Sequence, residues 1–388
     1  MSDVQLLFFV LAGLYVWECT GWLRRGSVAF VTWLGGNWRV VHPGALAGNP
    51  NGGFILAAPL PPLGTLLVAN QLPLSFSPHG VLAFVATNVN PGWRPAQTGC
   101  FLRWEQLDGV VVHGKKLIIN GELFLVAATP SFARHLKAEL ERLAKLTPAL
   151  RGAAVAGMLR AMFDERAIES RQQEYRIRTP AVRRLSNALF VYLVVIVPGL
   201  IWYFGFGLTW LGLLLGLLAL TVATASLFYR AHRALYPNAT DERFTHTLTI
   251  ALAPSSALRA HDALSRPLLE HFHPLAVARR LLPDNEFRTF ARRVLLDLRH
   301  PARPWGISDQ PEVVATEAYS RCACLKAAEE FLTLHGLAPG ELGRAPVPTD
   351  ASCRSYCPRC DAQFTAPRGE CADCGGLAVV ELPRGGGS

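Results

Sequence analysis

Hydrophobic and polar positions follow three rhythms along this chain, and each predicts a different kind of element. From residue 185 to residue 229 no charged side chain occurs; Arg183 and Arg184 stand before this stretch, and Arg230, His232 and Arg233 follow it. A hydrocarbon core about 30 Å thick is crossed by roughly 20 apolar helical residues. The stretch is long enough to cross twice, so it predicts a transmembrane helical hairpin over 187–229 with Gly205-Phe206-Gly207 as its turn. A second apolar run, Val4 to Leu23, predicts an anchor helix over 4–23. Only Asp3 precedes it, Arg24-Arg25 follow, and no small-residue cleavage site comes after, so it reads as a retained anchor rather than a signal peptide.

The arginines at the ends of these runs set an orientation, because positive flanks stay on the cytoplasmic side. Arg24, Arg25, Arg183, Arg184, Arg230 and Arg233 all agree on one topology. It places the protein in the cytoplasmic (inner) membrane as a multi-pass protein, with the N-terminus outside and both soluble regions in the cytoplasm. Glu18 falls inside the first anchor near its cytoplasmic end; an acid there either pairs at the interface with Arg24 and Arg25 or marks a functional site.

The second rhythm has period two. Over 29–146 it predicts a β-rich cytoplasmic domain with strands at 53–58, 65–69, 81–87, 100–104, 110–113, 117–119 and 123–127, separated by Pro and Gly clusters. Asn120-Gly121 between two such runs signals a tight hairpin, since a type I′ turn needs positive φ at both positions. A closing helix follows, with Phe132, Leu136, Leu140 and Leu143 at helical spacing, Ser131 as its cap and Glu141 placed to pair with Lys145. Strands closed by one C-terminal helix resemble a bacterial pleckstrin-homology-like module, a likeness of element order without a residue signature.

The third rhythm is helical. Residues 147–184 predict an amphipathic basic helix with Val155, Met158, Leu159, Met162 and Phe163 on its apolar side. Arg166, Arg171, Arg176, Arg178, Arg183 and Arg184 lie on it close to the membrane, where each basic residue near an anionic lipid surface contributes about 1 kcal/mol. Glu165, Glu169 and Glu174 dilute that attraction. Beyond the hairpin, residues 240–336 predict a mainly helical cytoplasmic domain. It opens with one strand read from the alternation of Phe244, His246, Leu248, Ile250 and Leu252, so that 248–264 echoes the strand-then-helix order of 123–143. Ser255-Ser256 then cap a helical series punctuated by Pro267, Pro274 and Pro283. A last helix runs from Pro311 to a stop at Gly336, and a Pro- and Gly-rich linker covers 337–352.

Composition refines this picture at two points. The charged fraction is 17% and the hydrophobic fraction 51% over 388 residues, the balance of a membrane protein with soluble parts. The net charge of +9 fits an anionic membrane surface as well as nucleic acid, and the position of the arginines beside the apolar runs favours the membrane. The C-terminal arginines are balanced by acids, and only Tyr356 and Phe364 are there to stack bases, so nucleic acid is an unfavoured partner.

The chemistry-bearing motif lies at 353–383. Cys357-Pro358-Arg359-Cys360 and Cys371-Ala372-Asp373-Cys374-Gly375-Gly376 each present two thiolates from one tight turn. Two such turns facing each other complete a tetrahedral four-sulfur site, which is closed and therefore structural. These residues resemble a zinc ribbon across Ala351 to Pro383, which implies one structural Zn2+ held by Cys357, Cys360, Cys371 and Cys374. Four thiolates also suit iron, as in rubredoxin, and disulfides are the remaining alternative. Cys353 is near but its spacing fits less well. Cys322 and Cys324 are two apart on a helix and point apart, which favours packing over ligation.

Other candidates are His261, His271 and His273, close enough in sequence to be considered for acid–base or metal chemistry. Asn238-Ala239-Thr240 matches a glycosylation acceptor but falls on the cytoplasmic side. The sequence holds no phosphate-binding glycine loop, no H-E-x-x-H and no nucleophile elbow. The expected fold is thus an α+β membrane protein, and the expected role is an adaptor or assembly protein that faces the cytoplasm and binds a partner protein or further copies of itself. The alternative is a membrane enzyme or transporter component built on Glu18 or the His261/His271/His273 group.

Overall fold

The computed structural model describes residues 74–85, 98–300 and 310–383 apart from 128, 206, 266, 283 and 375, together with Leu6, Val10 and the backbone of four short strands nearer the N-terminus. Leu6 and Val10 are helical and exposed; the rest of the anchor expected at 4–23, Glu18 included, lies outside the described residues. The architecture is mixed α and β, with helices dominant.

Two helices are long and apolar enough to cross a membrane: α4 (Pro180–Phe204) and α5 (Gly207–Leu235). Only 22% and 28% of their most apolar windows are buried in the structure. The turn between them falls at Gly205, whose φ of 71° is the left-handed conformation that favours glycine. α4 contains a π-helical turn at Tyr192–Ile196. Pro198 explains it, because proline lacks the N–H that would bond back to Val194 and its ring crowds that carbonyl. Tyr192 then donates its hydroxyl to the Leu213 carbonyl at 2.7 Å and ties the two helices together. Trp202, Tyr203, Phe204 and Leu208 surround the turn, all exposed.

The β strands fall close to their expected positions but divide among three small sheets. The first, in the order β2-β1-β3-β4, comprises β1 (Ser27–Phe30), β2 (Arg39–Val40), β3 (Gly53–Ala57) and β4 (Leu67–Asn70), with β1 parallel to β3. The second is the antiparallel set β5 (Leu74–Phe76), β6 (Gly80–Val85) and β7 (Thr98–Arg103). The third is the meander β8 (Val110–His113), β9 (Lys116–Ile119) and β10 (Glu122–Val126). Asn120 and Gly121 close the β9–β10 hairpin with φ of 53° and 84°, as the Asn-Gly signal requires.

Helix α1 (Pro130–Ala144) closes this region and buries Phe132, Leu136, Leu140 and Leu143. Its cap is Thr129 rather than Ser131, and the reason is Pro130: a proline suits the first helical position, so the cap must precede it. Thr129 accepts from the Phe132 N–H at 3.0 Å. Glu141 pairs backwards with Lys137 at 3.6 Å, not forwards with Lys145.

The segment expected as one basic helix is three: α2 (Pro148–Ala161), α3 (Glu165–Arg178) and the start of α4. Asp164 breaks the first join by capping α3, accepting from the Arg166 and Ala167 N–H groups. Pro180 breaks the second. The apolar side is as expected, with Val155, Leu159, Met162 and Phe163 buried. Arg166, Arg171, Arg176, Arg178, Arg183 and Arg184 are all exposed.

The strand expected at 244–252 is a helix, α6 (Thr240–Leu252), so the strand-then-helix echo with 123–143 disappears. α7 (Pro254–Leu258), α8 (Ala260–Ser265), α9 (Pro274–Leu281) and α10 (Asp284–Arg299) follow. α7 is opened by Pro254 with no side-chain cap, so Ser255 and Ser256 do not play the role expected of them. α11 (Pro311–Leu334) begins at its proline and ends before Gly336, whose φ is 72°, as expected. The linker at 337–352 is partly ordered by a short helix, α12 (Pro339–Leu342), that buries Leu342.

One continuous apolar core joins these parts. Phe76 from β5, Trp104 from the turn after β7, Phe132 and Leu136 from α1, Phe228 from α5 and Phe331 from α11 all belong to it. Polar links stitch the same seam. Ser77 and Thr316 hydroxyls meet at 2.9 Å, and the Thr129 hydroxyl donates to the fully buried Glu270 carboxylate at 2.7 Å. Arg151 is buried with its guanidinium donating to the Leu143 and Leu146 carbonyls at the end of α1 and to Pro78, so a helix C-terminus satisfies its charge.

Candidate metal centre and its docking surface

Residues 355–381 fold into two small β elements: β11 (Ser355–Tyr356) between β12 (Gln363–Phe364) and β15 (Val380–Glu381), and the pair β13 (Glu370–Cys371) and β14 (Leu377–Ala378). Each C-x-x-C sits on a turn at the edge of one of them. The first turn is held by the Asp361 N–H donating to the Cys357 carbonyl and the Cys357 N–H donating to Ala362. The second is held by the Gly376 N–H donating to Cys371. Each is closed by a residue of positive φ, Asp361 at 61° and Gly376 at 85°. Aspartate is among the few non-glycine residues that tolerate that conformation.

The consequence is convergence. The sulfurs of Cys357, Cys360, Cys371 and Cys374 all lie within 4.8 Å of one another, and those of Cys360 and Cys371 are 3.7 Å apart. A tetrahedron with metal–sulfur bonds of about 2.3 Å has edges of about 3.8 Å, so the spacing suits one tetrahedral cation. All four cysteines are free. Cys357, Cys371 and Cys374 are buried. Burial opposes ionisation of Cys357, but the N–H groups of Cys360 and Arg359 directed at its sulfur outweigh that and lower its pKa. Cys360 and Cys374 are raised, by burial first and then by neighbouring thiols. Four thiolates cannot crowd together unless a cation compensates them, so the donor set fits a divalent metal. Cys353 stays outside the cluster and faces the Thr349 hydroxyl at 3.4 Å.

The first turn is also clasped to α10. Arg359, between the two cysteines of C-P-R-C, directs two N–H groups at one oxygen of Asp297, at 2.7 and 2.6 Å. Arg292, one and a half turns earlier on α10, returns the contact to both oxygens of Asp361 at 2.8 and 2.7 Å. It also donates to the Leu342 carbonyl, fixing α12 to the same place. Burial pushes the Asp297 carboxyl up, and Arg359 and then Arg293 draw it back. Arg292, Asp297, Arg359 and Asp361 carry no joint signal in the sequence; the only local sign is charge inside and just after the C-x-x-C.

The histidine group does not form one site. His261 packs at 5.7 Å from the Tyr175 ring. His273 caps α9 by accepting from the Leu275 N–H and stacks at 4.5 Å on Phe163. His271 turns instead toward His135, with ring centroids 4.3 Å apart. Burial lowers His271 and His273 to about 3, so both are neutral at physiological pH. Among the described residues the four cysteines are the one group of His, Cys, Asp and Glu placed to share a metal ion. Cys322 is exposed on α11, while Cys324 packs against the core and burial raises its thiol to about 12.

Comparison with protein-family models, with curated proteins and with solved structures returns no match to this chain.

Proposed function

We propose that this chain is a multi-pass protein of the cytoplasmic membrane that works as an adaptor or assembly platform on the cytoplasmic face. The clasp between the C-x-x-C turn and α10 carries the reading, because it fixes the four-cysteine module as a rigid part of the soluble mass. In this reading α4 and α5 are the anchor, with Arg183, Arg184, Arg230 and Arg233 at the cytoplasmic boundary. The exposed Arg166, Arg171, Arg176 and Arg178 meet anionic headgroups. Two acids of that segment are engaged elsewhere, Glu165 with His335 and Glu169 with Arg280, both at 2.8 Å. The metal is one structural Zn2+ in a ribbon, since four sulfur ligands leave no open position for substrate. The hairpin is free of charged groups, which favours an anchor over a conduit.

The test is purification of the full chain from membranes in detergent, after an alkaline carbonate wash. The expected result is retention in the washed membranes, one zinc per chain by elemental analysis, and a co-purifying partner or a defined oligomer by cross-linking. A metal-free monomer with no companion would refute the adaptor reading. Iron in place of zinc would replace the structural assignment with an electron-transfer site.

A further inference from the structure

Between Arg243 and Arg259 the chain carries no Asp, Glu, Lys or Arg. That stretch is most of α6 and all of α7, joined at Ala253-Pro254. α6 runs back along α5 toward the apolar span. The Arg243 guanidinium donates to the Tyr236 and Pro237 carbonyls and lies 5.7 Å from the Tyr229 ring; one turn further on, His246 stands 6.2 Å from Phe228. α7 then packs against α4 and α5. There Ser186, two residues inside the apolar stretch from Arg184, donates its hydroxyl to the Ala257 carbonyl at 3.1 Å. The join between α6 and α7 is thereby held level with the start of the charge-free hairpin.

The outer face of α6 is unsuited to water. Phe244, Leu248 and Leu252 form one helical stripe and are 69%, 49% and 73% exposed. Three threonines alternate with them, and each satisfies its hydroxyl within the helix. Thr245, Thr247 and Thr249 donate to the carbonyls of Asp241, Arg243 and Thr245, at 2.9, 2.6 and 2.7 Å. Such bonds make a hydroxyl compatible with hydrocarbon, where no water is present to take it. α6 packs along α5, where Tyr229, beside Arg243, is exposed, and so are Val222 and Leu218.

We infer that α6 and α7 form a re-entrant turn that dips into the cytoplasmic leaflet, with Phe244, Leu248 and Leu252 against lipid acyl chains. The inference rests on the reading of α4 and α5 as membrane spans. The geometry adds a third membrane contact to the hairpin, one that enters and leaves from the same side. Arg243 and Arg259 mark where the chain enters and leaves it, level with the headgroups. Non-helical backbone at that depth is confined to the Ala253-Pro254 join, which α4 and α5 cover on one side.

The test places a nitroxide, through a ketone-bearing p-acetylphenylalanine, at residue 215 in the hairpin, at residue 252, or at residue 334 on the soluble mass. The full chain is reconstituted in vesicles of phosphatidylcholine and phosphatidylglycerol. Collision with oxygen, which concentrates in lipid, is compared with collision with a water-soluble nickel chelate. At residue 252 the oxygen-to-nickel ratio is expected to exceed that at residue 334 several-fold and to approach that at residue 215. A ratio at 252 matching that at 334, with 215 still lipid-like, overturns the re-entrant turn and leaves the hairpin intact. A water-like ratio at 215 overturns the hairpin reading itself. Shielding of 252 from both reagents also overturns the inference, since a protein partner would then cover the stripe.

Discussion

Replacing Asp297 by alanine tests whether the clasp on α10 supports the metal centre. The Arg359 side chain is 5% exposed and Asp297 is 24% exposed, so the contact is close to a buried ion pair. Removing one partner of a fully buried pair typically costs about 3–5 kcal/mol. Partial exposure of Asp297 and the weaker worth of solvated pairs reduce that to roughly 2–3 kcal/mol. Folding and metal binding are coupled at such sites, so a contact that steadies the folded C-x-x-C turn also adds to metal affinity. The loss therefore appears in metal affinity, as a weakening of about 30- to 150-fold. Competition of the full-length protein with a chromophoric zinc chelator measures it directly, with circular dichroism to show that the helices persist. The Arg359→Ala/Asp297→Ala double variant should be no weaker than either single one, because both remove the same contact. Arg292→Ala, whose pair with Asp361 is more exposed, should weaken affinity by only about 1 kcal/mol. An Asp297→Ala protein that keeps its helices and binds zinc within about twofold of the parent would refute the coupling.

Acid should destabilise the soluble mass. His271 and His273 sit near 3 in the folded state against about 6.5 unfolded, so the unfolded chain binds more protons between these values. The stability they give is complete above pH 6.5 and is lost as pH falls toward 3, by about 2 kcal/mol each at pH 5. Melting temperature against pH reads this, and His271→Phe with His273→Asn should flatten the slope between pH 5 and 6.5. Thr129→Val removes both the α1 cap and the contact with buried Glu270, and should cost about 2–3 kcal/mol in denaturant unfolding; a change under 0.5 kcal/mol would contradict the role given to it. Gly216→Val should loosen the hairpin, because even a Cβ there would lie 2.6 Å from the Tyr192 hydroxyl; a cross-link between engineered cysteines on α4 and α5 should form more slowly, and Tyr192→Phe should restore part of the rate.

What could be read from the sequence was written locally. The hairpin lies in an unbroken run of apolar residues, the cysteine cluster in two short motifs, and the β9–β10 turn in one dipeptide. α6 misled for a definable reason. Phe244, Leu248 and Leu252 occupy every second even position of an apparent alternation, and the same residues are four apart, which is a helical stripe. Threonines then raise strand propensity without deciding the outcome; packing against α5 decides it. The clasp was invisible because Arg359 and Asp297 are 62 residues apart and charges carry no periodic sign of their partners. The bond from Thr129 to Glu270 spans 141 residues and was hidden for the same reason. The pleckstrin-homology-like resemblance reached no further than the order of strands and helix; the parallel β1–β3 pair and the separate sheets give it no further support.

The aromatic residues around the Gly205 turn have one more implication. If α4 spans a membrane as proposed, Arg184 needs water at one end and Trp202 prefers the interface at the other; between them a helix rises about 27 Å at roughly 1.5 Å per residue. α4 is thus a ruler of fixed length, bonded to its neighbour through Tyr192 and unable to extend. A bilayer thicker than the ruler must thin around it, at a fraction of a kcal/mol for each ångström. On the proposed membrane reading the protein should gather in thinner patches of membrane and leave thicker ones, so that bilayer thickness itself would help to choose where the proposed platform is assembled.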